Sequence, residues 1–252
     1  MNGNLFIISA PSGSGKSTLT NELRRIVPNL EFSISYTTRP PRGSEQSGRE
    51  YFFVSREEFE RMMANDEFLE WANVFGHYYG TAKRFLHEAH ARGNDLLLDI
   101  DVQGAAQVKQ RVPDAVSIFV LPPSREELER RLRRRAEADD DLQRQIRGDG
   151  ARPFNTEEII QRRLQTASRE IENFCQYDYI LVNDRLEESI DLLKSIVEAV
   201  RLKRSSAAVD APTSKDLLTL AAADRALREH MLPQVEAVLA TFALSRSNSV
   251  SE

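Results

Sequence analysis

Apolar positions along this chain fall into two kinds of block. Leu5 to Ala10 is a short apolar run closed by Pro11 and glycines, after which Leu19, Leu23 and Ile26 recur at helical spacing until Pro28. The runs "DLLLDID" (Asp95 to Asp101), "VSIFVL" (Val116 to Leu121) and "YDYILVN" (Tyr177 to Asn183) carry continuous apolar stretches, as parallel strands covered on both faces do. Helical spacing fills the intervals: Val102 to Arg111, Ser124 to Arg135 behind a capping box at Ser124 and Glu127, about Thr156 to Phe174, and Leu186 to Lys203. Strands alternating with helices predict an α/β fold, a parallel sheet flanked by helices.

Three segments break the alternation. Between Glu31 and Gly93, polar and aromatic residues alternate in "FSISYTTR" and "EYFFVS", a short helix opens at the capping box Ser55/Glu58, and "HYYGT" follows, which predicts a small mixed subdomain. Ala136 to Pro153, "AEADDDLQRQIRGDGARP", is charged and has little to bury, so it is expected to be less ordered. Beyond Arg204 a linker, "SSAAVDAPTS", leads to one helix-like stretch from Lys215 to about Phe242. The expected organisation is a core of residues 1–32, 95–135 and 156–204, a subdomain at 33–94, a lid at 136–155 and an extension at 205–252.

Composition narrows the function classes. With 40% hydrophobic and 29% charged residues in 252, the chain is of ordinary globular type. A net charge of -5 attracts neither nucleic acid nor an anionic membrane, so a small anionic partner held by local clusters of Arg and Lys is expected. The single cysteine, Cys175, excludes an intramolecular disulfide, and no apolar run approaches the roughly 20 residues that cross a bilayer. The expected location is the cytoplasm.

The candidate chemistry starts at "ISAPSGSGKST" (Ile8 to Thr18), a phosphate-binding loop with Ala10 in place of the usual first glycine. Gly13 and Gly15 let the backbone turn its N–H groups toward a phosphate at the N-terminus of the next helix, Lys16 reaches the transferred phosphate, and Ser17 offers its hydroxyl to Mg²⁺. Ala10 is compatible with such a turn if its φ is negative. In "LLLDID", Asp99 and Asp101 stand at the C-terminal end of a strand, where open α/β sheets bind ligands; Asp101 is read either as the Mg²⁺-organising carboxylate or as the cap of the next helix. "TTRPPRGSE" presents Arg39 and Arg42 on a stiff proline loop, a second anion site. Arg131 and Arg135 share a helix face ahead of the 136–153 segment and are answered by Arg162 and Arg163 beyond it, the arrangement of a lid that closes over phosphates.

Together "APSGSGKS", "SYTTRPPRGSEQSGREYFFV", "FLEWANVFGHYYGT", "LLLDIDVQGA" and "ILVND" resemble the guanylate kinases over about Gly3 to Arg204. The resemblance implies a P-loop nucleoside monophosphate kinase fold with an inserted GMP-binding subdomain and a lid, and ATP- and Mg²⁺-dependent conversion of GMP to GDP in purine nucleotide metabolism. It implies a GMP phosphate held by Ser35, Arg39, Arg42 and Tyr51 with Tyr79, and a guanine read by Glu70, Thr81 and Asp99. ATP would lie on Ala10, Pro11, Ser12, Gly13, Ser14, Gly15, Lys16, Ser17 and Thr18 with Asn183 near the adenine, and the metal on Ser17 and Asp101. Lys16, Arg39, Arg131, Arg135 and Arg163 would carry the catalysis.

Two features depart from that pattern. The segment between Arg135 and Arg163 is much longer than in the family, which leaves Arg147 and Arg162 as substitutes for Arg163, and the tail beyond Arg204 is either a regulatory or oligomerising helix or a plain extension. A non-catalytic binding module and a kinase for another nucleotide are the alternatives. A GTPase reading of Asp101 to Gly104 as D-x-x-G lacks a following N-K-x-D.

Overall fold

The continuous apolar runs form strands and the periodic segments form helices. The computed structural model describes residues 3–74, 76–147, 156–205 and 212–248. In chain order the elements are β1 Leu5–Ser9, α1 Lys16–Ile26, β2 Leu30–Phe32, β3 Tyr36–Thr37, β4 Phe52–Phe53, α2 Arg56–Ala64, β5 Phe68–Val74, β6 His77–Ala82 and α3 Lys83–Ala91. There follow β7 Asp95–Asp99, α4 Val102–Arg111, β8 Val116–Leu121, α5 Arg125–Arg147, α6 Thr156–Ile171, β9 Tyr179–Val182, α7 Leu186–Ser205, α8 Ser214–Arg225 and α9 Arg228–Asn248. The fold is α/β, a mainly parallel sheet flanked by helices. Among the described residues no helix is long and apolar enough to cross a membrane.

The chain forms two compact units. The first comprises Met1–Ser9, Thr20–Ile118 and Val197–Ala211. Here β7 lies between β2 and β1, all parallel, with Leu5 opposite Leu96 and Leu30 opposite Asp95. Every residue of β1 is buried, as a strand covered on both faces requires. A second, four-stranded sheet in the order β4-β3-β6-β5 is built from the segment of alternating aromatic and polar residues. Its β3 and β4 are only two residues long; Pro40 and Pro41, which cannot continue a ladder, follow soon after β3, and the Ser55 cap of α2 follows β4. Tyr36, Phe59, Met62, Phe68 and Ala82 form its core, Phe59 stacking on Phe68 with ring centroids 4.4 Å apart. Ser55 caps α2 by accepting from the Glu58 N–H, as the motif predicts.

The second unit comprises Ala10–Leu19, Phe119–Ile196 and Pro212–Glu252. Ser124 accepts from the Glu127 N–H at 3.2 Å at the start of α5. That helix runs on to Arg147, although a less ordered segment was expected from Ala136. Apolar residues are scarce there, but Ala, Glu, Leu, Gln and Arg are good helix formers and no glycine or proline interrupts them before Gly148. The remainder of the predicted lid, 148–155, lies outside the described residues, as does the Arg147 side chain.

The tail also differs from expectation. The single helical stretch predicted from Lys215 is two helices, α8 and α9, separated at Ala226 and Leu227. Thr213 and Asp216 form a full capping box at the start of α8. Ala223, Ala226, Val235, Val238 and Phe242 are all buried, so the tail contributes to the core of its unit. The linker at 206–211 lies outside the described residues.

Candidate active site

The loop after β1 has the backbone its sequence demands. Gly13 and Gly15 hold φ of +94° and +92°, a region that L side chains rarely adopt, and the Ser14 N–H closes a turn on the Pro11 carbonyl at 3.1 Å. A Cβ at Gly13 would also lie 2.9 Å from Leu128 Cδ1, and one at Gly15 would collide with the Asn183 side-chain nitrogen. Ala10 is not among the residues with positive φ, so alanine fits there without strain. Lys16 and Ser17 open α1 and Thr18 follows; Ser12, Ser17 and Thr18 are exposed, and Pro11 and Ser14 are buried. Backbone amides and the positive end of a helix thus gather where an anion can approach.

The loop is held from behind through one carbonyl. Ser14 O accepts from Asn183 Nδ2 at 2.8 Å and from Arg131 Nη1 at 3.4 Å, and Arg131 Nη2 donates to Asn183 O at 3.0 Å. Asn183, placed near adenine by the resemblance, is 5% exposed and committed to the loop through Nδ2. Arg131 is fixed in turn by Glu127, 2.7 Å from its Nε. On the same two helices Arg135 is exposed, Arg163 is half-buried on α6, and Arg162 pairs with Glu158. Arg133, to which the sequence pattern assigned no role, binds both Glu129 and Glu157 and so ties α5 to α6.

In the other unit, Arg39, expected from the sequence to meet an anion, is held by its own segment. It is 6% exposed, its Nη2 lies 2.9 Å from Glu45, its Nη1 donates to Pro40 O at 2.8 Å, and its guanidinium lies 5.5 Å from the Tyr51 ring centroid. Tyr51 and Tyr79 meet edge to face at 5.9 Å. Burial, with Tyr79 and the Asp99 carboxylate nearby, pushes the Tyr51 hydroxyl pKa up, so the phenol stays protonated and able to donate. Arg42 is exposed, its N–H bonded to Glu45 at 2.7 Å; Ser35 is half-buried and accepts through its carbonyl from the Phe52 N–H. Glu45, the final residue of "TTRPPRGSE", was not singled out, yet it organises both arginines.

Glu70 on β5 and Thr81 on β6 stand opposite one another, both buried. The Thr81 hydroxyl has no hydrogen-bond partner. Glu70 reaches the first turn of α4, where a Cβ on Gly104 would lie only 2.7 Å from its Oε2. Gly104 is therefore the residue that makes room for the carboxylate, a contact invisible from its place in "DVQG". Asp99 ends β7, two residues earlier than the predicted strand. Asp101 caps α4, accepting from the Gly104 N–H at 2.8 Å, and this local bond turns the chain out of the ladder.

The Arg131 anchor has a pH signature. Hydrogen bonds from Arg130 first, and from Arg131 after the opposing effect of burial, lower the Glu127 pKa from 4.5 to about 2. A carboxylate with a folded pKa below its unfolded value contributes stability that is complete above about pH 4.5 and lost as the pH falls toward 2. Glu127→Gln removes the titrating group, so it should lose less stability than the parent across that window in denaturant melts; identical losses would contradict the anchor.

Comparison with known proteins places the chain in a family. The family model described as guanylate kinase matches residues 2–200. A guanylate kinase of Koribacter versatilis is 57% identical over 242 residues, 96% of this chain and 97% of its own, so the match runs into the tail. One of Desulfitobacterium hafniense is 46% identical over 204 residues, 80% of this chain and 94% of its own. The crystal structure of guanylate kinase from Anaplasma phagocytophilum superposes with a TM-score of 0.61 at 35% identity, covering 80% of this chain and 87% of that one. The chain belongs to the guanylate kinase family.

Proposed function

We propose that this chain transfers the γ-phosphoryl group of ATP to GMP, giving ADP and GDP. The observation that carries the reading is the facing pair Glu70 and Thr81, both buried, with the Thr81 hydroxyl unpaired. A buried polar group without a partner costs about 1–3 kcal/mol, so this wall suits a ligand with a polar edge. Guanine offers N1–H and its exocyclic amino group to a carboxylate, whereas adenine has no donor at either place. Glu70 is the specificity residue, supported by Thr81 and Asp99.

In this reading Ser35, Arg39, Arg42, Tyr51 and Tyr79 hold the GMP phosphate. Glu45 keeps Arg39 in place beforehand, so little side-chain freedom is lost on binding. ATP binds along Ala10 to Thr18, its phosphates facing the loop amides, with Lys16 at the γ-phosphate. A GMP phosphate oxygen attacks the γ-phosphorus, a new P–O bond forms, and the bond to the β,γ-bridging oxygen breaks as ADP leaves with the electron pair. Lys16, Arg39, Arg131, Arg135 and Arg163 position the phosphates and neutralise the developing charge, and no covalent protein intermediate is needed.

Mg²⁺ arriving with ATP supplies further neutralisation of phosphate charge. The Ser17 hydroxyl would hold it, a hard oxygen donor of the kind Mg²⁺ prefers; the Asp101 carboxylate, the other expected holder, caps α4. The partners are ATP and GMP, and we place the enzyme in the cytoplasm, where the exposed Cys175 thiol stays reduced.

A coupled assay across GMP, AMP, CMP, UMP and dTMP tests the reading. Turnover is expected with GMP and ATP·Mg²⁺; none with GMP, or equal turnover with AMP, would overturn it. Gly104→Ala should push the Glu70 carboxylate aside and raise KM for GMP by about tenfold, roughly 1.4 kcal/mol, with KM for ATP unchanged. An unaltered GMP constant would remove Glu70 from the base site.

A further inference from the structure

The tail lies beyond residues 2–200, which the family model matches, yet it touches both elements that anchor the phosphate loop. The N-terminal helix amides of α5 need acceptors from outside the helix. Ser124 serves the Glu127 N–H, and Thr241 Oγ1 on α9 serves the Arg125 N–H at 3.0 Å. The backbone N–H can only donate, and the Thr241 hydroxyl gives its own proton to Val238 O at 2.7 Å. Six residues on from Arg125, the same helix presents Arg131 to Ser14 O and Asn183 O.

The start of α9 meets the other anchor. The Ile180 N–H donates to Ala226 O at 2.8 Å, the Arg228 N–H donates to Asp178 O at 3.0 Å, and Tyr179 and Leu227 form an antiparallel bridge. These bonds occupy the outer edge of β9, whose inner side is bonded to β8 through the Asn183 N–H and Leu121 O at 2.8 Å. β9 ends at Val182, and the next residue is Asn183, whose Nδ2 holds Ser14 O. The tail thus grips α5 and β9 at once, and the side chains those two elements carry converge on one carbonyl of the loop.

We propose that the C-terminal extension is a positioning element for the ATP side of the reaction, with Thr241 and the Ala226–Arg228 segment fixing the helix and strand that hold the phosphate loop. Thr241 touches no substrate and acts through α5 and Arg131. The proposal rests on the assignment of the loop to ATP, and it separates the two substrates. Every contact named here belongs to the unit that contains Ala10–Leu19, whereas Arg39, Glu70 and Thr81 belong to the other.

The test is Thr241→Val in the full chain, with Thr241→Ser as the conservative control and thermal unfolding to confirm folding. An acceptor at a helix N-terminus contributes about 1 kcal/mol, so KM for ATP should rise about fivefold while KM for GMP stays unchanged. Thr241→Ser keeps the acceptor and should restore the parent constant. Unchanged ATP constants in Thr241→Val, equal changes for both substrates, or no rescue by serine would overturn the proposal. Calorimetric titration of the same variants with a non-hydrolysable ATP analogue keeps this result apart from the assigned reaction. Full-length protein inactive on GMP would refute that assignment alone, while the analogue's affinity would still report on Thr241.

Discussion

The loop after β1, proposed to bind the ATP phosphates, can aim its amides at an anion only because Gly13 and Gly15 hold φ of +94° and +92°. That geometry has two consequences. It forbids side chains at both positions, so the loop cannot fill its own surroundings, and Leu128, Leu132 and Asn183 pack up to it from α5 and the end of β9. It also buries Ser14, whose carbonyl needs partners from outside the loop; Asn183 and Arg131 supply them. Accuracy at the loop therefore depends on where α5 and β9 stand. This chain settles both with a tail that lies beyond residue 200, the last that the family model matches.

The other unit solves a different problem, which is to keep charged groups ready at low exposure. A buried charge is tolerated only when it is paired or bonded. Glu45 meets this need for Arg39, and the first turn of α4, opened by Gly104, gives Glu70 its place. The cost of desolvation then falls at folding rather than at binding, and the groups a nucleotide would meet are already oriented.

The parts of the fold that follow from local periodicity were legible. β8 and α4 have the boundaries read from "VSIFVL" and from Val102 to Arg111, and the caps at Ser55, Ser124 and Asp101 follow from side chains competing for nearby amides. The loop glycines were legible for the same reason, since a positive φ is demanded by the turn itself. What escaped is contact at long range. Nothing in "DVQG" shows that Gly104 faces Glu70, and nothing in the tail composition shows that Thr241 meets the Arg125 N–H 116 positions away. The helix through Arg147 is not legible from hydrophobicity, because helix propensity rather than burial extends it.

In the proposed reaction, donor and acceptor nucleotides are recognised by different groups, with Lys16 serving only the donor. Calorimetric titration of Lys16→Ala with GMP, alongside its turnover, tests this most directly. Full GMP affinity with turnover lost is the predicted result; loss of GMP binding together with turnover would contradict it.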